Sequence, residues 1–207
     1  MWKRLLGDLL SPPSCAACDV RTTRRSVFCP ACVPTIERAG LRSEPLAFAL
    51  FGGAMAVAIR RLKYESRPDL AYPLGELLRA LCREAKVEAD VVVPVPLHPR
   101  RLVERGYNQA ALLARAVARE TGARFEPRAL VRHVDTPRQA ELGREERLRN
   151  VAEAFALRKP MAIAGRRVLL VDDVFTTGAT LQACRQALET ARPKSVRGLV
   201  LARTPAD

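Results

Sequence analysis

Apolar residues recur along this chain in two rhythms, one helical and one extended. From Ala54 to Tyr64, the residues Met55, Ala58, Ile59 and Leu62 fall on one face of a helix. A second helix is predicted from Leu70 to Ala85, with Leu74, Leu77, Leu78, Leu81 and Cys82 turned inward. The run DVVVPVPLHP then predicts a short buried strand, Val91 to Val93, ended by Pro94 and Pro96 because proline cannot continue a central strand. A helix from about Tyr107 to Glu120 follows, its inner face formed by Tyr107, Ala110, Ala111, Ala114, Val117 and Ala118. Residues 128–150 are polar and rich in arginine, which predicts a strand followed by a loop or helix. RRVLLV is a second buried strand, Ala179–Thr190 a further helix, and SVRGLVLA a last strand. Residues 33–52, broken by Pro34, Gly40, Pro45 and Gly52, are expected to be a connector. Strands that alternate with helices predict an α/β fold, a mainly parallel sheet with helices on both faces. In such sheets ligands bind beyond the C-terminal ends of the strands.

Composition narrows the class without changing this picture. The 207 residues are 48% apolar and 28% charged, and no apolar run approaches the length of a membrane span. The first residues, MWKRLLGDLL, superficially suggest a signal peptide, but Gly7 and Asp8 interrupt the apolar stretch and no small-residue cleavage site follows. They are expected to form a short amphipathic helix in a cytoplasmic protein. The net charge of +13 favours anionic partners: nucleic acid, nucleotides or phosphorylated sugars. Aromatic residues are only 5%, which weakens the case for a surface that stacks single-stranded bases.

Four of the six cysteines form two C-x-x-C pairs, Cys15 with Cys18 and Cys29 with Cys32. Each pair places two thiolates on one ion through a tight turn, and four thiolates close a tetrahedral Zn²⁺ site of structural type. Arg21, Arg24 and Arg25 lie between the pairs, so the module is read either as a nucleic-acid contact or as a staple for a segment too small to have its own core. Cys82 and Cys184 stand alone within helical patterns and are expected to be small buried residues.

The stretch VLLVDDVFTTGAT, Val168 to Thr180, carries the sharpest chemistry. The wholly apolar Val168–Val171 predicts a central strand, with Asp172 and Asp173 at its C-terminal edge. Two neighbouring carboxylates need hydroxyls or a cation as partners. The following TTGAT supplies hydroxyls and a glycine at the start of a helix, where free N–H groups favour an anion. A ribose 5-phosphate group would satisfy both halves at once.

This stretch resembles the signature of type I phosphoribosyltransferases. The resemblance assigns Asp172 and Asp173 to the ribose hydroxyls, and Thr176, Thr177, Gly178, Ala179 and Thr180 to the 5-phosphate of phosphoribosyl pyrophosphate. VPVPLHPRRLVERGYNQ (Val93–Gln109), RQAELGREERLRNVAEAF (Arg138–Phe155) and the two cysteine pairs together resemble the ComF family, a bacterial group with late competence proteins of DNA uptake and proteins linked to gluconate utilisation. That likeness covers nearly the whole chain. It implies a type I phosphoribosyltransferase fold over residues 41–207, preceded by a small zinc-ribbon-like module in residues 1–40, with residues 41–85 as the hood. Arg100, Arg101 and Arg105 are pyrophosphate candidates. Arg138–Asn150, with Arg144 and Arg147, is either a solvated ion-paired helix or, by resemblance, a loop that closes over the reaction centre. Asn108 and Gln109 are expected to bond the loop before them, and His98 to be a ligand contact or a turn residue.

Two functions follow. One is a Mg²⁺-dependent transferase that displaces pyrophosphate from the sugar with a nitrogen nucleophile. The other is an accessory protein of DNA uptake that binds single-stranded DNA, contacts competence proteins and keeps the sugar-phosphate site as a ligand sensor.

Overall fold

The computed structural model describes residues 13–23, 26–41, 43–134 and 154–205. The N-terminal amphipathic stretch, Arg24 and Arg25, and the segment Arg138–Asn150 with Arg144 and Arg147 lie outside the described residues.

The central sheet is parallel and has five strands: β1 (Leu46–Leu50), β2 (Val91–Pro94), β3 (Arg124–Phe125), β6 (Arg167–Phe175) and β7 (Ser195–Arg203). Their spatial order is β1-β7-β6-β2-β3. A small antiparallel pair, β4 (Leu130–Arg132) and β5 (Phe155–Leu157), stands apart from it. The helices are α1 (Gly53–Tyr64), α2 (Ala71–Glu84), α3 (Pro99–Arg105), α4 (Gln109–Thr121), α5 (Pro160–Ile163) and α6 (Ala179–Glu189).

Alternation along β6 shows why the sheet is buried on both sides. Leu169 and Val171 join the core under α1, α2 and α4, while Val168 and Leu170 join the core under α6 and the β4–β5 pair. Each such side chain fully removed from water contributes about 1.5–3 kcal/mol. Capping sets the limits of α4: the Asn108 side chain accepts from the Ala111 N–H at 3.2 Å, and Gly122 ends the helix in the left-handed conformation.

Three expectations need correction. Residues 46–50 are an edge strand of the main sheet, not part of a connector. Its sequence, LAFAL, is short and rich in helix-forming Ala and Leu, so local preference hides a strand that exists because β7 offers it a ladder. β6 does not stop at Val171: Asp172 stands in register with Val200, and Val174 with Ala202, because β7 is equally long and continues the pairing past the acids. The loop expected before Asn108 is largely helical and carries the three arginines that are pyrophosphate candidates. They lie on α3, capped by His98, whose Nδ1 accepts from the Arg100 N–H at 3.3 Å.

Candidate functional site

Parallel pairing brings the C-terminal ends of β2 and β6 side by side, with Pro94 opposite Val171. A cleft of about 340 Å³ opens there, lined by Asp172, Asp173, Thr176 and Thr180 together with Arg60, Lys63 and Tyr64 of α1 and Arg132 of β4. Adjacent strand residues project to opposite faces, so the two acids share a cleft without sharing a direction. Asp173 turns toward α1 and is buried at 2% exposure, and its Oδ1 lies 2.6 Å from Lys63 Nζ. Its other oxygen, Oδ2, is buried with no hydrogen-bond partner. Asp172 is half-buried, and its Oδ1 accepts from the Asp173 backbone N–H at 2.8 Å. Burial, and then the neighbouring Asp173 charge, push the Asp172 carboxyl up to about 7 against the pull of Lys63. Lys63 is itself raised: the Asp173 and Asp172 charges outweigh the burial that opposes its ammonium.

The loop after β6 forms a second, smaller recess of about 30 Å³, lined by Thr176, Thr177, Gly178, Ala179 and Thr180. Gly178 has φ +82°, and no side chain caps the first N–H groups of α6. A Cβ at Gly178 would sit 2.9 Å from a ring carbon of Phe175, so glycine is required here both by conformation and by space. An uncapped helix start beside three threonines is suited to a phosphate group.

The predicted residues are therefore partly brought together. Asp172, Asp173 and the threonine loop converge on one sheet edge. Arg100, Arg101 and Arg105 do not line the cleft. The β2–α3 connection contributes Val95, Pro96 and Leu97 instead. Arg100 pairs with Glu104 at 3.1 Å on its own helix, and Arg105 lies over the Tyr64 ring at 5.4 Å. Asn108 does bond the preceding loop, donating from Nδ2 to the Val95 carbonyl at 3.0 Å. Lys63, Arg60 and Arg132 are site residues that motif reading missed. Lysine is rare in this chain, five of the 35 basic residues, but nothing in the helical pattern around Lys63 marks it as part of the cleft.

The cysteine cluster is compact. The sulfur atoms of Cys15, Cys18, Cys29 and Cys32 all lie within 4.8 Å of one another, with Cys18 to Cys29 at 3.6 Å and Cys18 to Cys32 at 3.7 Å. Tetrahedral Zn–S bonds of about 2.3 Å require S···S distances of roughly 3.8 Å, so the set fits a structural Zn²⁺ site. Burial opposes ionisation of Cys15, but backbone N–H groups, that of Cys29 foremost, overcome it and lower the thiol. Burial and the neighbouring thiols raise Cys32. Four thiolates at this spacing need a cation to coexist. The knuckle is also tied to the main core: Cys15, Ala16, Phe28 and Cys29 pack in the same buried cluster as Met55, Ile59 and Leu62 of α1. Arg61 of α1 donates to the Ala16 carbonyl at 3.1 Å and pairs with Asp19.

A model of the phosphoribosyl transferase domain matches residues 107–207. The DNA utilization protein YhgH of Escherichia coli (strain K12) is 30% identical over 206 residues, covering 92% of this chain and 90% of that protein. Competence protein F of Haemophilus influenzae is 32% identical over 155 residues, covering 72% of this chain and 68% of that protein. The chain belongs to the ComF family. Competence protein ComFC of Bacillus subtilis is also similar, 37% identical over 115 residues, which is 55% of this chain and 45% of that protein. The mainly parallel sheet and the cysteine cluster agree with the fold expected of a ComF protein, a type I phosphoribosyltransferase core with a four-cysteine module at its N-terminal side. No helix among the described residues is long and apolar enough to cross a membrane.

Proposed function

We propose that this ComF protein binds phosphoribosyl pyrophosphate, or a related ribose 5-phosphate ligand, at the end of β6. The observation that carries this reading is Asp173 Oδ2, a buried carboxylate oxygen without a partner in a cleft that continues into the threonine loop. A buried acceptor left unmade costs about 1–3 kcal/mol, a deficit that a ribose hydroxyl would remove. In this reading Asp172 and Asp173 accept from the vicinal hydroxyls. The backbone of Gly178 and Ala179 and the hydroxyls of Thr176, Thr177 and Thr180 hold the 5-phosphate. Mg²⁺ would be held mainly through oxygens of the ligand, as that ion prefers, and it would supply charge for the departing pyrophosphate. In the transfer, a nitrogen lone pair forms the bond to C1 while the C1–O bond breaks and pyrophosphate leaves with that electron pair. The nitrogen's proton passes to solvent. The protein's part is to position the sugar and to stabilise charge. Zn²⁺ in the four-cysteine knuckle is proposed as a structural ion.

The test is a calorimetric titration of the purified protein with phosphoribosyl pyrophosphate and Mg²⁺, beside the variant Asp172→Asn/Asp173→Asn. Wild type should bind and the variant should lose at least about tenfold in affinity. Equal binding by both refutes the assignment. Pyrophosphate release above background with a panel of nitrogen bases supports transfer as well as binding.

The names of the relatives, DNA utilization and competence proteins, together with the charge of +13, favour a second reading: an accessory protein that binds single-stranded DNA. Affinity for a labelled single strand that falls steeply with salt supports it. Affinity absent at low salt removes it.

A further inference from the structure

The sugar-phosphate reading accounts for both acids but leaves their closest cation without a role. Lys63 occupies the last turn of α1, and its ammonium lies 2.6 Å from Asp173 Oδ1. Asp173 is 2% exposed and Lys63 21%, so water does little to screen the pair. The stretch Val168–Thr180 contains no basic residue, so the cation beside the acids comes from a different element. Among the described residues, the charged and titratable groups around the acids are few. Arg60 and Tyr64 face the cleft from α1, and Arg132 faces it from β4. On the α6 side, Cys184 is held as a neutral thiol, raised by burial and then by the Asp172 charge.

We propose that Lys63 is the resident counter-cation and positioning residue of the acid pair. Its ammonium compensates the carboxylates in the ligand-free protein and fixes Asp173 with Oδ2 unengaged. The compact, rotatable ammonium suits this task. It touches one carboxylate oxygen and leaves the other for a ligand, where a guanidinium fork tends to take both. Part of the positive charge that two adjacent acids need is already in the protein, so a ribose monophosphate does not depend on a divalent ion to enter. Lys63 acts through Asp173 and is not assigned a contact with the reacting atoms. The consequence for ligands rests on the sugar-phosphate reading above. The role as counter-cation does not.

The experiment uses the full chain as wild type, Lys63→Met and Lys63→Arg. Carboxylate-selective NMR first follows Asp172 with pH in the absence of ligand. In wild type its midpoint should lie near 7, where burial and Asp173 place it. Lys63→Met should move that midpoint up by about one pH unit or more, and Lys63→Arg should hold it near the wild-type position. Calorimetry with ribose 5-phosphate in EDTA then asks about the ligand. Wild type should bind, Lys63→Met should lose about tenfold or more at pH 6.5, and raising the pH or adding millimolar Mg²⁺ should restore part of the loss. An unchanged Asp172 midpoint in Lys63→Met overturns the proposal, and a folded far-UV spectrum for that variant guards the comparison. A midpoint that moves while none of the three proteins binds ribose 5-phosphate supports Lys63 as counter-cation and removes the sugar reading instead.

Discussion

The cysteine knuckle and the acid cleft solve the same problem, holding like charges close together, by opposite means. The knuckle takes all its candidate ligands from residues 15–32, and their sulfurs close to within 4.8 Å of one another. Nothing is left open, as suits the structural Zn²⁺ proposed for it. The cleft draws on α1, the β2–α3 connection, β4, β6 and the start of α6, and leaves about 340 Å³ for something that comes and goes. Its charges are balanced across elements: Asp173 by Lys63 from α1, Asp172 only partly. A site closed on itself can be written in one short stretch of chain, whereas an open site must borrow its walls from the whole fold. The two are nevertheless joined through one helix. Arg61 of α1 grips the Ala16 carbonyl and Asp19 of the knuckle, and two residues later Lys63 grips Asp173.

That junction makes metal removal the largest expected perturbation. Replacing Cys15 and Cys18 by serine, or stripping the ion with a chelator, should cost about 5 kcal/mol, since Cys15 is fully buried within the main core. In a chain of this size that corresponds to a fall in Tm on the order of 10–20 °C in a thermal melt. Ribose 5-phosphate affinity should weaken together with it, because loosening the knuckle loosens Arg61 and so α1. A chelated protein that melts at the wild-type temperature would sever the comparison. The knuckle would then be an independent appendage.

A smaller effect separates the cleft from the knuckle. Gly178→Ala places a methyl group 2.9 Å from the Phe175 ring at φ +82°, and should cost about 1–2 kcal/mol of stability in urea unfolding. Ligand affinity should fall about tenfold as the threonine loop shifts, while the four-cysteine metal content is unchanged. Gly52→Ala is the control: that position is extended, with φ −177°, and has open space where the methyl group would go. Its effect should stay within about 0.5 kcal/mol. Equal effects at the two glycines would show that the loop geometry is not what holds the anion.

How much of this was readable beforehand follows from the same contrast. The knuckle was legible to the residue, because spacing alone brings Cys15, Cys18, Cys29 and Cys32 together. The strand, acids and threonine loop were legible because they too are contiguous. Lys63 and Arg132 were not, since a side chain that reaches the site from another element leaves only a helical or strand pattern in its own neighbourhood. The edge strand β1 escaped for a related reason: Leu46–Leu50 is a strand by virtue of β7, not of its own residues. Arg100, Arg101 and Arg105 drew attention by charge, yet α3 keeps them off the cleft wall, and Val95, Pro96 and Leu97 stand there instead. Charge predicts affinity for an anion. Position decides whether the charge meets it.

The smallest predicted effect tests whether the cleft's charges are as incompletely balanced as the geometry indicates. Asp172 is raised in the folded protein to about 7 from an ordinary value of 3.8, by burial and then by Asp173. Between those two values the native state binds more protons than the unfolded chain, so this group's contribution to stability falls as pH rises from about 4 to about 7. Asn at this position retains a side-chain oxygen to accept from the Asp173 N–H, the bond of 2.8 Å now made by Asp172, and carries no charge. Asp172→Asn should therefore match wild type in urea unfolding below about pH 4 and exceed it at pH 8, by on the order of 1 kcal/mol after allowance for solvent around a half-buried group. Adding the ligand should erase the difference by stabilising wild type alone, because only the carboxylate accepts strongly from the sugar. If the two proteins instead track each other across the whole pH range, the acid pair is fully neutralised within the fold, and the cleft is as closed electrostatically as the knuckle.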